Sequence, residues 1–207
     1  MHWKHALIAR VEARVHAAPV ALPPDARLAG DKAKALEYLR VRVAGSYEAG
    51  SSTLVRAATA LGTGYWAMTA LRLDDGRRVW INRGYVPQGT TRAVAEASVP
   101  AGRATVTGLL RANEPGGSLL QANRPEDERW YSRDVAALAA ARGLERVSPA
   151  FVDAQAEQGA RPRNSASAPV AGLTQVQFAD NHLVYALTWF GMALLCAVGL
   201  VFAWRRA

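Results

Sequence analysis

Cysteine is nearly absent from this sequence, with Cys196 the one thiol among 207 residues. That excludes an internal disulfide and every chemistry built on paired thiols: CxxC redox centres, thiolate zinc sites, CxxCH haem attachment and two-thiolate copper carriage. Any metal or cofactor must be held by other ligands. Catalytic signatures are missing too, since no GxSxG elbow, HExxH, P-loop or GxGxxG occurs. The expectation is a protein that is not an enzyme. Lys and Arg exceed Asp and Glu by 25 − 17 = 8, but the cations are scattered rather than clustered with stacking aromatics, which argues against nucleic acid as a partner. Half of the residues are hydrophobic and 20% are charged, so a sizeable core is available and wholesale disorder is excluded. The length suits one domain of roughly 150 residues plus an accessory element.

Charge is missing altogether between Asp180 and Arg205. Within that gap Leu183 to Trp204 is an apolar run which, at about 1.5 Å per residue, covers a hydrocarbon core of roughly 30 Å. The sequence predicts a transmembrane helix over 181–204, with Tyr185 and Trp189 near one interface and Trp204 at the other. Arg205 and Arg206 follow, whereas no Lys or Arg occurs from Ser165 through Trp204. Positive-inside bias then puts the tail, 205–207, in the cytoplasm and the domain, 19–180, outside. The opening residues MHWKHALIARVEARVHA contain neither an apolar export core nor a cleavage site. A tail-anchored orientation would drag both arginines across the bilayer, so the reading expects a first transmembrane segment upstream of Met1, lost through a mis-called start or truncation.

Periodicity divides the remainder. Leu7, Ile8, Val11 and Val15 recur at helical spacing, predicting an amphipathic helix over 1–18 that ends before Pro19. Pro23 and Pro24 then mark an extended linker. Strands are predicted from Leu39 toward Tyr47, at Thr53 to Arg56, Tyr65 to Leu73, Arg78 to Tyr85, Ala104 to Arg111, Ala150 to Gln155 and Val170 to Phe178. Asp75-Gly76 supplies the turn of a central hairpin whose strands each present one face to a core. Asp134 caps an alanine-rich helix, Val135 to Ala141, which Gly143 ends. The small and polar residues of 154–169 read as a mobile loop. Short strands with few helices imply an α+β, β-rich domain, an antiparallel sheet or small barrel, followed by the C-terminal transmembrane helix.

Of four histidines, His182 alone lies in an informative setting, where domain and bilayer meet in ADNHLVYALTWF. At 100° per residue His182, Tyr185 and Trp189 fall within about 60° of one another. A neutral imidazole there can ligate haem iron while the aromatics pack on a porphyrin; equally, it can be an interfacial histidine beside an ordinary aromatic belt. Arg83 in WINRGYVP can hold haem propionates or a partner's carboxylate, or can be a structural arginine on loop carbonyls. Trp130 and Tyr131 offer a binding surface or anchor a core. Small residues at Ala193, Ala197, Gly199 and Ala203 would let another helix approach α-helix 181–204 closely.

Three blocks resemble the surfeit locus protein one family (Shy-type), membrane-anchored assembly factors for cytochrome c oxidase. GYWAMTALRLDDGRRVWINRGYVP is similar to the family hairpin, and LLQANRPEDERWYSRD to its N-x-P-x-x-x-x-W-x-x-x-D region. PVAGLTQVQFADNHLVYALTWFGMA resembles the strand and N-N-H-L-x-Y-A-L-T-W-F signature that open the second transmembrane helix. The opening WKHALIARVEARVHAAPVALP resembles the segment after the family's first transmembrane helix. Asp180 replaces the usual first Asn, Tyr85 replaces the common Trp after Arg-Gly, and the first helix is not in this chain. The resemblance implies a bacterial inner-membrane protein that helps mature oxidase subunit I. It also implies transient binding of haem a, with His182 as axial ligand, possible contact with haem A synthase, and a periplasmic domain. The alternative is a structural chaperone that stabilises an oxidase intermediate without touching haem.

Overall fold

The computed structural model describes residues 11–118, 121–160, 168–173 and 182–206, in two units, 1–175 and 176–207. The first unit is built on strands β1 (Val20–Ala21), β2 (Arg40–Tyr47), β3 (Thr53–Thr59), β4 (Gly62–Leu73), β5 (Arg78–Pro87), β6 (Ala101–Ala112) and β7 (Val147–Ala160). Short helices punctuate them: α1 (11–16), α2 (Asp31–Ala35), α3 (Arg92–Ala97) and α4 (Val135–Ala141). Of the predicted helix over 1–18, residues 1–10 lie outside the described residues.

The sheet order β1-β2-β6-β7-β5-β4-β3 carries an extra pairing of β2 with β4. That pairing closes β2, β6, β7, β5 and β4 into a ring, so of the two predicted architectures the small barrel is the one formed. It is not purely antiparallel, because β1 runs parallel to β2 and β5 parallel to β7. The expectation failed there because β5 and β7 are joined by a long excursion through α3, β6 and α4, which brings the chain back in the same direction.

Side chains from every ring strand meet in one cluster: Val41, Val43, Leu71, Val79, Ile81, Val106, Leu110 and Val152. The ring interior is the face that all five strands share, so this cluster is the barrel's filling. A second cluster covers the outer wall of β4, β5 and β7, where Met68, Ala70, Trp80 and Phe151 pack under Trp130 and the α4 residues Val135 and Leu138. Each fully buried side chain of this size contributes about 1.5–3 kcal/mol. The hairpin strands therefore bury both faces, not the single face that alternation suggested. Alternation was visible because Val79 and Ile81 look inward while Trp80 looks outward, and both environments are apolar.

Asp74, Asp75 and Gly76 form the hairpin turn, closed by Leu73 N–H to Arg77 O at 2.8 Å. Gly76 alone carries the positive φ, +78°, while Asp75 accepts the Arg77 N–H at 2.9 Å. Helix α4 starts as its sequence dictates: the Asp134 carboxylate accepts the Ala137 N–H at 3.2 Å, and Gly143 follows the helix at φ +60°. Asp134→Ala should cost about 1 kcal/mol, read as a lowered urea midpoint at unchanged slope.

Two boundaries differ from expectation. Strand β7 continues through Ala160, so residues 154–160 of the expected loop are sheet; Ala101 and Ala104 to Gly108 of β6 pair with them, with register shifts between Ala101 and Ala104 and at Gln155. Small side chains there reflect close strand contact, since a Cβ on Gly159 would sit 3.2 Å from that of Ala104. The expected strand from Val170 is represented by one bridge, Val170 with Tyr85, and residues 174–178 lie outside the described residues.

Helix α5, His182–Arg206, is the second unit. Its side chains are described over 187–199 and 204–205 and are exposed. The continuous stretch 187–199 is about 20 Å long. Among the described residues no helix is long and apolar enough to cross a membrane.

Candidate functional site

Four consecutive residues of β5, Asn82 to Tyr85, organise the polar interior of the domain. They occupy a strand otherwise written in apolar residues, and alternation sends them to opposite faces.

Arg83 points to the same face as Val79 and Ile81, into one end of the barrel, and is 4% exposed. Its Nε donates to Glu157 Oε1 at 3.0 Å and one terminal nitrogen to Glu157 Oε2 at 2.9 Å, a bidentate fork. The same nitrogen donates to Ser98 O at 2.8 Å and the other to Ser98 Oγ at 3.0 Å. Tyr47 donates its hydroxyl to Glu157 and lies 5.5 Å beneath the guanidinium. Burial pushes the Tyr47 phenol well above its ordinary value, and the Glu157 carboxylate pushes it the same way. Burial alone would depress Arg83, but its hydrogen bonds and charge contact with Glu157 outweigh this and hold it above the ordinary arginine value. The carboxylate that Arg83 pairs with is thus the chain's own, and its donors face inward rather than toward an external propionate.

Asn82 faces the other way. Its amide donates to Asp153 at 2.8 Å, and Asp153, 2% exposed, also accepts from Arg111 and Arg133 at 3.1 Å each. Arg133 lies 4.7 Å over the Phe151 ring and is paired with Glu114, while Arg111 reaches Glu37. Two guanidiniums thus bracket one buried carboxylate, and the outer carboxylates balance them. Each buried charge is compensated, as burial requires.

Gly84 provides a backbone gap. At φ +130° it lets the strap 168–173 approach so closely that an added Cβ would stand 2.2 Å from Val170 O. Tyr85 and Val170 exchange both backbone hydrogen bonds, at 3.0 and 2.9 Å, and Gly172 N–H donates to Ala154 O at 3.0 Å. The Tyr85 hydroxyl donates to Thr63 O at 3.0 Å. A tryptophan has no hydroxyl to replace this bond, so Tyr85 is a local solution rather than a defect.

Of the other candidates, Trp130 is 1% exposed and anchors the outer cluster. Tyr131 lies under Arg56 at the surface. Helix α5 begins at His182 and contains Tyr185 and Trp189, the three backbone positions spanning about 10 Å along the axis. Trp189 is 67% exposed; the side chains of His182 and Tyr185 lie outside those described.

Sequence reasoning passed over Tyr47, Ser98, Arg111, Arg133, Asp153 and Glu157. The signal was available for one of them: Asp153 interrupts the apolar run Ala150 to Ala154, where an uncompensated carboxylate could not be buried.

Comparison with known proteins places the chain. Residues 1–194 match the SURF1 family. Surfeit locus protein 1 of Mus musculus is 30% identical over 212 residues, which cover 94% of this chain and 64% of that protein. The Homo sapiens protein of the same name is 29% identical, over 92% of this chain and 66% of that protein. A SURF1-like protein of Monosiga brevicollis is 29% identical, over 98% and 78%. The chain spans about two thirds of the length of these mammalian relatives. With its barrel, its hairpin and the stretch that opens α5 all inside the matched residues, the chain belongs to the SURF1 family.

Proposed function

We propose that this protein is a membrane-anchored assembly factor for cytochrome c oxidase. It sits in a bacterial inner membrane, its barrel on the periplasmic side and its C-terminus in the cytoplasm. Its partners are oxidase subunit I, membrane lipid and haem A synthase; nucleic acid is not among them. It acts by binding rather than by catalysis. The observation that carries the reading is the family match running through the start of α5, where His182 opens a helix of 25 residues. The apolar sequence from Leu183 to Trp204, read with Arg205 and Arg206, supports the anchor and its orientation.

In this reading His182 would ligate haem a through its imidazole, and Tyr185 and Trp189 would supply aromatic contacts. Bound haem would supply an iron that an imidazole nitrogen can ligate. The chain's own part is to present that nitrogen from the first turn of α5 and to shield one face with aromatic side chains. The strap 168–173 is bonded to the barrel strand β5 where Val170, twelve residues before His182 in the sequence, pairs with Tyr85.

A second reading is favoured by Arg83. Because its donors are committed to Glu157 and Ser98, the barrel offers no propionate anchor at this position. The domain would then grip an oxidase intermediate without haem. Deletion of the gene separates both readings from an unrelated role. Membranes should lose most oxidase activity and a-type haem absorbance, and the full-length gene should restore both. Normal oxidase content in the deletion strain would overturn the proposal.

A further inference from the structure

The outer edge of β3 is half occupied. Val55 forms a parallel bridge with Trp130, and Arg56 N–H donates to Trp130 O at 2.8 Å. The backbone groups of Arg56 therefore turn away from β4. Alternation along the strand turns those of Ala58 the same way. After Trp130 the neighbouring chain leaves the edge, because Tyr131 N–H and Ser132 N–H both donate to Asn123 Oδ1, at 2.8 and 3.1 Å. Among the described residues nothing pairs with the outward N–H of Ala58. That edge opens into a groove of about 390 Å³, lined by Arg56, Ala58, Thr63, Gln121 and Tyr131 among others.

The lining is mixed, with Arg56, Thr63 and Gln121 beside Ala58 and Tyr131. Among the described residues Arg56 is the one cation lining it, which is too little for a phosphate backbone. What it presents is strand-edge hydrogen-bonding capacity beside one positive charge. Arg56 lies 5.8 Å over the Tyr131 ring, and among the described residues no carboxylate lines the groove. The bridge to Trp130 shows how an extended chain sits on this edge.

We infer that the groove accepts an extended peptide of a partner protein, added as a strand beside β3 at Arg56 to Ala58, with an acidic side chain on Arg56. Backbone pairing supplies the attachment and the charge supplies the selection. The inference does not depend on haem, so it stands or fails separately from the role of His182.

The test uses the full chain in nanodiscs and two acetylated, amidated pentapeptides, Thr-Val-Asp-Val-Thr and Thr-Val-Lys-Val-Thr. The acidic peptide should bind at least about tenfold more tightly, the size of effect expected of one charge-assisted contact. It should also slow amide exchange at Ala58. Ala58→Pro removes the outward donor without taking one from the β3–β4 ladder, and should abolish binding. Arg56→Glu should reverse the preference toward the lysine peptide, which keeps the inference testable should the proline variant misfold. Equal binding of both peptides, binding unchanged in Ala58→Pro with its fold intact, or self-association through this edge that excludes both peptides would overturn it.

Discussion

Arg83→Ala is expected to destabilise the domain by about 3–5 kcal/mol, the cost of removing one partner from a buried ion pair. The reason lies in what remains. Glu157 would keep the Tyr47 hydroxyl but lose two charge-assisted bonds, and Ser98 O and Oγ would each lose a guanidinium donor. For a domain of this length the loss corresponds to a fall in melting temperature of roughly 6–20 °C. Arg83→Lys keeps the charge but not the fork, and should recover only part. A double-mutant cycle with Glu157→Gln should show a coupling energy above about 1 kcal/mol. Additive effects would mean that the pair is not the interaction holding this end together. The Tyr47 phenol adds an alkaline signature. Its raised pKa contributes stability that is complete below the ordinary tyrosine value and is lost as pH rises above it.

Gly84→Ala is the second large effect, and its readout is local. The residue stands at φ +130°, a conformation that L side chains rarely adopt, which costs about 1–3 kcal/mol. The new methyl would also face Val170 O at 2.2 Å, Val170 C at 2.4 Å and Ala171 N at 2.7 Å. All three are backbone atoms, so relief requires the strap to lift. Lifting breaks the two Tyr85–Val170 bonds and the Gly172–Ala154 bond, each worth about 1 kcal/mol. Amide exchange at Val170 and Gly172 should therefore accelerate by at least about tenfold, while Ile81 and Val152, in the barrel core, stay protected. Uniform acceleration would show that Gly84 supports the whole barrel rather than the strap.

Much of the fold is legible in the sequence because its strands alternate and its turns use residues with few alternatives. Gly76 and Asp134 stand where the turn and the cap need them. Barrel closure was harder to read, since the β2–β4 pairing joins Gly45 with Leu73 through contacts that no local pattern records. Composition misled at 154–160: the small residues that suggested a loop are what β6 and β7 need to pass closely. The candidate site shows the same division. His182, Tyr185 and Trp189 could be grouped from helical spacing alone, and α5 keeps that spacing. Arg83 could be singled out as an unusual arginine in an apolar strand, but its partner Glu157 lies 74 residues away and the pairing depends on the parallel β5–β7 neighbourhood. A long-range ion pair of this kind becomes visible only when strand order and register are known.

The central proposal is that His182 ligates haem a on the outer side of the membrane. The most direct measurement is the visible spectrum and haem stoichiometry of the full-length protein, purified from cells that make haem a, with and without His182→Ala. The account predicts that the variant loses the low-spin haem spectrum while barrel amide protection is unchanged, because an axial nitrogen is the directional bond and the aromatic contacts are not. Trp189→Ala should lose part of the haem and His16→Ala none. Full haem stoichiometry in His182→Ala, alongside an oxidase that still fails to assemble, would contradict the claim and assign the residue to a protein contact.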